Sequence, residues 1–277
     1  MDNTTMQRVS VQELKEIELN ILLEIDQFCR RHGLRYYLSS GTLLGAIRHK
    51  GFIPWDDDAD VMMPRPDFDR FMNLYQSDKY IMNYPGKRGY FQSIGKLAHT
   101  GTILIQKLPL ADEPIGVHVD ILPLDGEPDD DVEFKKHLYA LKLLHRRSLH
   151  LRRLRFFPIT FEYIKTCFQK IREFRKTMFM SFPRVYRKID KIVHRYDYEC
   201  SKYVGYITMS RYGAKQRHCR QLFDDSISVE FEGHDFLAPA GYDEYLRNLF
   251  GDYMQLPPED KRVSAHVWTA YWKQQIQ

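Results

Sequence analysis

Two aspartates lie two positions apart beside an apolar stretch near the N-terminus of this 277-residue chain. Asp58 and Asp60 precede the hydrophobic run 61–63, which predicts a strand. Successive strand side chains point to opposite faces, so the two carboxylates would share one face. Like charges this close repel unless a cation neutralises them, and Mg²⁺ binds one or two carboxylates together with substrate phosphates. The pair predicts a Mg²⁺ or Mn²⁺ centre for phosphoryl transfer, although acidic residues 56–58 alone also fit a solvated loop.

A third carboxylate interrupts a second apolar segment. In GVHVDIL (116–122), apolar residues alternate with His118 and Asp120, which predicts a strand with Asp120 on its polar face. A buried carboxylate must be paired, protonated or bound to metal. Asp120 is therefore a candidate metal ligand or a base for an incoming hydroxyl. The alternative is a salt-bridged aspartate that faces solvent.

A turn of small residues precedes a short predicted helix at residues 42–48. Backbone N–H groups of such a turn and of the helix N-terminus can hold phosphate, which makes Ser40, Gly41 and Thr42 candidate phosphate contacts. Three nearby cations are candidates for binding donor phosphates, although each could also be a solvated surface residue: Arg48, Lys50 and Lys96.

The remaining pattern predicts the elements around these residues. Apolar spacing and a capping box from Ser10 to Glu13 predict a helix over 10–31. Strands are expected at 34–38, at 59–63 and within 89–105, and helices at 67–75 and 242–250. The acidic segment 126–133 predicts an exposed linker. We expect an α+β chain with a mixed sheet core flanked by helices in residues 1–132, a basic helical segment at 133–200, and a C-terminal region, 201–277, that packs on the core.

Three segments together resemble one known family. The runs GTLLGAIRHKGFIPWDDDADVMMPRPDFDRF (41–71), GVHVDILPLDG (116–126) and FEGHDFLAPAGYDEYLRNLFGDYMQLPPEDKR (231–262) are similar to the LicD family of phosphorylcholine transferases, whose pattern also occurs in fukutin and the fukutin-related protein. The resemblance implies a nucleotidyltransferase fold. It matches Asp58 and Asp60 to the family's metal-binding pair, Asp120 to a strand carboxylate, and positions 40–42 to the phosphate turn.

The function that the resemblance implies is transfer of a phospho-alcohol, typically phosphocholine, from a CDP-activated donor. The acceptor would be a sugar hydroxyl of a cell-surface glycan or teichoic-acid-type precursor, which is commonly lipid-linked, and CMP would be released. Two alternatives remain at this point. One is a nucleotidyltransferase that adds NMP from an NTP to a small hydroxylated substrate, and the other is a non-catalytic glycan- or membrane-binding module.

Charge is distributed unevenly along the chain. Residues 133–200 contain 18 Lys and Arg against 6 Asp and Glu, a net charge of +12, whereas the rest contains 23 against 31, a net charge of −8. This segment is either an ordinary helical region with a solvated basic side or a surface for anionic membrane or polymer. No nucleic-acid-binding motif is present, so we expect no nucleic-acid partner. The N-terminus does not resemble a signal peptide. We expect a cytoplasmic protein, either free or peripheral at the inner face of the membrane.

Overall fold

The structure is a computed structural model that describes residues 6–106, 112–156, 181–208, 212–263 and 268–273. Its helices are α1 (Val11–His32), α2 (Ser40–His49), α3 (Arg65–Leu74), α4 (Asp131–Phe156), α5 (Phe182–Val193) and α6 (Tyr242–Phe250). Its strands are β1 (Tyr37–Leu38), β2 (Asp60–Pro64), β3 (Tyr80–Asn83), β4 (Gly95–His99), β5 (Thr102–Gln106), β6 (His118–Glu127), β7 (Tyr203–Gly205), β8 (Arg217–Cys219), β9 (Ser226–Phe231), β10 (His234–Pro239) and β11 (Trp268–Trp272).

A seven-stranded mixed sheet is the centre of the fold. Its main path runs β1-β2-β6-β4-β3, and β7 and β8 extend it from the far end of β6. The β2–β6 pair is parallel, whereas the other neighbours in this sheet are antiparallel. Two further antiparallel pairs, β9–β10 and β5–β11, complete the strands of the described residues. The α+β prediction is confirmed.

Helix α1 shows how closely the sequence pattern determines the local structure. Ser10 caps the helix, its side chain and that of Glu13 form the reciprocal bonds of a capping box, and Gly33 ends it in the left-handed conformation. The buried face packs into the main core beside the sheet. The helices predicted near residues 67–75 and at 242–250 are also present, as α3 and α6.

The acidic linker prediction was wrong at its first two positions. Gly126 and Glu127 belong to β6 and are buried, because this end of β6 pairs with β7. Helix α4 then begins at Asp131, so the boundary drawn at 132 falls within its first turn. The division into three segments remains a prediction. Part of the helical pattern predicted for the basic segment, at 157–180, lies outside the described residues.

Helices α4 and α5 share a small apolar cluster of their own, separate from the main core. Leu141 and Leu144 of α4 contact Val185, Ile189 and other buried residues in it. The basic side chains of α5 instead lie on its exposed side: Arg184, Arg187, Lys188 and Lys191. Among the described residues, no helix is both long and apolar enough to cross a membrane.

A buried acidic residue joins α4 to the sheet. The Glu127 carboxylate lies 3.5 Å from Nε2 of His137, which is longer than a good hydrogen bond. Burial, with a smaller contribution from Asp125, raises the pKa of Glu127 well above its usual range. Burial also lowers the pKa of His137 to about 4. Both groups are thus favoured in their neutral forms within this contact.

We predict that the free energy of unfolding of the Glu127→Gln variant increases relative to that of wild type as the pH rises above about 5. The unfolded chain releases the Glu127 proton near the ordinary pKa of 4.5, whereas the folded protein retains it. Wild-type stability therefore falls with rising pH, by at most about 1.4 kcal/mol per pH unit, until the folded-state pKa is passed. The glutamine variant lacks this dependence.

Chemical denaturation of both proteins between pH 5 and 9 measures the difference. Because His137 is present in both, its own titration largely cancels. The matched control is Glu230→Gln, at an exposed position of β9. Its free energy of unfolding should differ from that of wild type by the same amount at every pH. A constant difference for Glu127→Gln as well would contradict the prediction.

Candidate active site

The parallel pairing of β2 with β6 brings two of the predicted aspartates together. Asp60 is directly opposite Asp120 in the register, and Lys96 of β4 is opposite Asp120 on the other side. The backbone N–H of Asp120 donates to the carbonyl oxygen of Ala59 at 2.9 Å. The register, set by the apolar residues of both strands, thus fixes one carboxylate beside the other.

Asp60 is held by the helix that precedes it in the chain. Its backbone N–H donates to Oγ1 of Thr42 at 2.8 Å, and its carbonyl oxygen accepts from the N–H of Ser39 at 3.0 Å. Burial raises the pKa of Asp60 well above its usual range, Asp58 and Asp120 raise it further, and Lys96 opposes them. Asp60 is therefore a carboxylate placed where a nearby positive charge would strongly favour its ionised form.

A cavity of about 1000 Å³ opens beside these strands. Seven of the nine predicted site residues line it: Ser40, Gly41, Arg48, Asp58, Asp60, Lys96 and Asp120. Two of the predicted residues are elsewhere. Thr42 is buried behind the wall, where it positions Asp60. Lys50 ends α2 in a left-handed conformation and is not among the lining residues.

The acidic loop before β2 forms a compact trio. Carboxylate oxygens of Asp56, Asp57 and Asp58 all lie within 4.8 Å of one another. Asp58 precedes β2, because the strand begins at Asp60. The trio lies over the N-terminus of α2, since a Cβ at Gly41 would be 2.6 Å from Oδ2 of Asp56. Only glycine allows this approach without displacing that carboxylate.

Glu18 adds a further carboxylate to the cavity, and the sequence analysis did not predict it. It lies on α1, is 2% exposed, and lines the cavity. Burial raises its pKa well above the usual range, with further increases from Asp58, Asp57 and then Asp56. The available signal was its position four residues after Leu14, on the mainly apolar buried face of α1.

Lys96 and His118 form a small network around Asp120. The ammonium group of Lys96 donates to Asp120 Oδ1 and, at 2.8 Å, to Nε2 of His118. The other ring nitrogen of His118 lies 2.8 Å from the carbonyl oxygen of Gly116, to which it donates in this tautomer. Lys96 is 4% exposed. It is thus a buried cation that fixes the Asp120 carboxylate.

The phosphate turn is supported from the C-terminal region. Ser40 has a φ of +47°, a conformation that costs energy for a residue other than glycine and persists where its surroundings hold it. The buried hydroxyl of Tyr245 on α6 accepts a bond from the Ser40 N–H at 3.4 Å. The same hydroxyl lies 3.1 Å from Ser39 Oγ. Tyr245 therefore helps hold the turn that opens α2.

Arg48 connects α2 to the rim of the cavity. Its guanidinium donates to the carbonyl oxygen of Tyr253 at 2.6 Å and lies 3.4 Å from that of Gln255. The 253–258 segment lines the cavity next to Trp55. The Nε of Arg48 donates to Nδ1 of His49 at 3.4 Å. Arg48 thus shapes the rim, and its Nη2 remains the candidate contact for a donor phosphate.

The donor set suits a hard divalent cation. Among the described residues, the loop trio offers carboxylate oxygens close enough to share an ion, and Asp60 and Asp120 line the same cavity. Carboxylate oxygens are the ligands that Mg²⁺ and Mn²⁺ prefer. Burial raises the pKa of both Asp60 and Glu18, and the neighbouring aspartates raise it further. A bound cation would reduce this repulsion and release protons from the site.

Comparison with known proteins agrees with this architecture. Residues 33–160 match the family described as LicD/FKTN/FKRP, nucleotidyltransferase domain. Over 272 residues, the chain is 30% identical to a protein named lipopolysaccharide cholinephosphotransferase LicD from Haemophilus influenzae, and the match covers 96% of this chain and 99% of that protein. An uncharacterized protein of Rickettsia typhi is 29% identical over 82 residues, which are 29% of this chain and 26% of that protein.

The turn, helix and aspartate-bearing strand on a mixed sheet thus define a nucleotidyltransferase-type domain. Because the similarity to the Haemophilus protein extends over nearly the whole of both chains, the protein belongs to the LicD family.

We predict that Tyr245→Phe destabilises the fold by about 1–2 kcal/mol, because Ser39 and the Ser40 N–H lose a buried partner. Urea denaturation measures the free energy of unfolding. Tyr242→Phe on the same helix, where the hydroxyl has no bond of this kind, should change it by less than about 0.5 kcal/mol. Equal effects of the two substitutions would contradict the role assigned to Tyr245.

Proposed function

We propose that this protein is a Mg²⁺-dependent transferase that moves phosphocholine from CDP-choline to a sugar hydroxyl of a cell-surface glycan and releases CMP. The observation that carries the proposal is the convergence of Asp58, Asp60 and Asp120 with the Ser40–Gly41 turn on one cavity. The name of the Haemophilus relative supports lipopolysaccharide as the class of acceptor. A teichoic-acid-type precursor has the same reacting hydroxyl.

In the proposed reaction, the acceptor oxygen attacks the phosphorus that bears choline. The bond from that phosphorus to the oxygen shared with the cytidine phosphate breaks, and CMP leaves with the electron pair. Asp120, fixed by Lys96, accepts the proton of the attacking hydroxyl. Backbone N–H groups at the start of α2 and the guanidinium of Arg48 bind the donor phosphates.

The divalent ion would be held by Asp58 and Asp60. Asp120 would be a further ligand unless it acts only as the base. When bound, the ion neutralises charge that develops on the leaving phosphate. Asp56 and Asp57 add negative potential at the same place. Thr42 keeps Asp60 in position through its backbone, and the β2–β6 register keeps Asp60 beside Asp120.

Aromatic side chains on the cavity wall favour choline as the headgroup of the donor. Trp55 and Trp268 both line the cavity, and indole faces attract quaternary ammonium groups. The guanidinium of Arg262 lies 5.6 Å from the centre of the Trp55 ring, so that ring already takes part in a cation–π contact. Trp272 is not among the residues that line the cavity, and its indole N–H donates a hydrogen bond to the Glu13 carboxylate.

We predict that wild-type protein releases CMP from CDP-choline with Mg²⁺ and that Asp58→Asn and Asp60→Asn abolish turnover. Each substitution preserves side-chain shape and removes one ligand charge. Asp60→Asn should also increase the stability of the metal-free protein, because it removes a buried carboxylate from a crowded site. Asp120→Asn should also abolish turnover. If Asp120 acts as the base, this variant should lose less metal affinity than Asp58→Asn and Asp60→Asn do.

Three measurements test these variants: CMP release, metal titration by calorimetry, and thermal unfolding with and without Mg²⁺. Asp235→Asn, at an exposed position of β10, is the matched control and should behave as wild type. CDP-ribitol, CDP-glycerol and CDP-ethanolamine serve as competing donors. Full activity in EDTA would contradict the metal requirement, and pyrophosphate release from an NTP would identify a nucleotidyltransferase instead.

A second proposal concerns where the protein acts. We infer that it contacts anionic membrane peripherally, because a lipid-linked acceptor would lie there. The exposed cations of α5 lie opposite its apolar face, with one exposed acid, Asp190, on the same helix. Each Lys or Arg near an anionic bilayer contributes about 1 kcal/mol.

We predict that the protein co-sediments with anionic vesicles at low salt and is released as salt increases. Arg187→Glu with Lys188→Glu should weaken this binding strongly. Arg31→Glu with Lys79→Glu makes the same change in net charge at exposed positions elsewhere and should have little effect. Equal recovery on neutral and anionic vesicles would contradict the prediction.

A further inference from the structure

The wall of the cavity that α1 forms carries an acidic group that the proposed reaction does not use. Glu18 is 2% exposed in the folded chain, and its side chain lines the cavity. Its Oε2 is buried and accepts no hydrogen bond from any of the described residues. A buried carboxylate oxygen without a donor costs free energy unless a ligand or a proton compensates for it. Glu18 thus presents an unsatisfied acidic group to the space where the substrates would bind.

The charged groups that act on Glu18 most strongly are also acidic. Burial raises the pKa of Glu18 well above its usual range, and four aspartates raise it further: Asp58, Asp57, Asp56 and Asp120. A positively charged ligand beside Glu18 would favour the ionised form of its carboxylate and reduce this repulsion. An acidic group kept at such a cost in a cleft is characteristic of functional sites. The electrostatics of this wall therefore favour a cationic ligand.

The neighbours of Glu18 on its own helix are apolar. Spacings of three and four residues place Leu14, Ile21 and Leu22 beside it, and all three are buried. Mg²⁺ keeps several of its water molecules and loses them reluctantly, so an apolar helix face is a poor place for its direct ligand. An organic cation that carries methyl groups presents apolar surface and no N–H donor, and it gains from burial beside such residues. The surroundings of Glu18 therefore favour an organic cation over a hydrated metal ion.

Helix α1 contacts the strand that brings an indole ring to the cavity. The indole N–H of Trp272 in β11 donates to the Glu13 carboxylate of α1 at 3.2 Å. Strand side chains two and four positions apart share a face, so Trp268 lies on the same face of β11 as Trp272. Trp268 lines the cavity, as Glu18 does. The carboxylate from α1 and the indole from β11 therefore belong to adjoining walls of one cavity.

We propose that Glu18 binds the trimethylammonium group of the donor by charge attraction, together with the indole rings that line the cavity. This inference rests on the proposed function for the identity of the donor, and it deepens that function by naming the acidic residue that selects a cationic headgroup. Indole faces attract a quaternary ammonium group, and a carboxylate supplies a full negative charge. Helix α1, which precedes the residues 33–160 that match the family, would thereby contribute to the choice of donor.

Calorimetry on the full chain tests this proposal, with Mg²⁺ present and no acceptor. The probes are CDP-choline, CDP, and a CDP ester in which a tert-butyl group replaces the trimethylammonium group, which keeps its shape without its charge. Glu18→Gln should weaken binding of CDP-choline about 10- to 100-fold, as expected for loss of a close charge pair. Its affinities for CDP and for the neutral ester should stay close to those of wild type. Glu16→Gln, at an exposed position of α1, is the matched control and should bind all three probes as wild type.

If Glu18→Gln does not fold, Glu18→Met decides, because an apolar side chain of similar length suits the buried face of α1. Loss of affinity confined to CDP-choline, in a variant that still unfolds cooperatively, supports the proposal. Unchanged affinity for CDP-choline overturns it, and so does a wild type that binds CDP-choline no more tightly than the neutral ester. Equal losses for all three probes with weaker Mg²⁺ binding would assign Glu18 to the metal site and also overturn it. Absence of CMP release by a wild type that binds CDP-choline through Glu18 would reject the proposed function and leave this inference standing.

Discussion

The crowding of carboxylates beside the β2–β6 pair is the constraint on which the rest of the structure depends. Asp60 and Asp120 are adjacent in register, Asp58 and two further aspartates lie in the loop before β2, and Glu18 faces the same cavity from α1. Their mutual repulsion opposes folding of the ligand-free protein. The scaffold tolerates it because the strands and α1 are fixed by a large apolar core.

Positive charge in the cavity balances only part of this repulsion. Lys96 neutralises Asp120, whereas Asp60 and Glu18 keep pKa values well above their usual range. Ligands that bring positive charge to these carboxylates should therefore bind more tightly to the folded than to the unfolded chain. Stability and substrate binding are then linked by mass action.

The sequence pattern predicted what depends on local spacing. It located α1 with its capping box, helix α6, and the aspartates that meet at one cavity. It failed where charge is buried by tertiary packing. Glu18 and Arg152 both lie on the buried faces of helices, where a charged residue is the exception. Lys50 was assigned by its proximity in sequence to the turn, but the end of α2 places it outside the cavity lining.

The C-terminal region is as necessary to the cavity as the aspartate motif. Tyr245 supports the turn at Ser40, and the carbonyl oxygens at 253 and 255 bind Arg48. Strand β11 pairs with β5 and brings Trp268 to the cavity wall. A chain with only residues 33–160 would therefore keep the aspartates but lose Glu18, the groups that hold the turn at Ser40, and those that close the rim. This dependence gives a physical reason why similarity to the Haemophilus protein extends over 96% of the chain instead of ending with the nucleotidyltransferase segment.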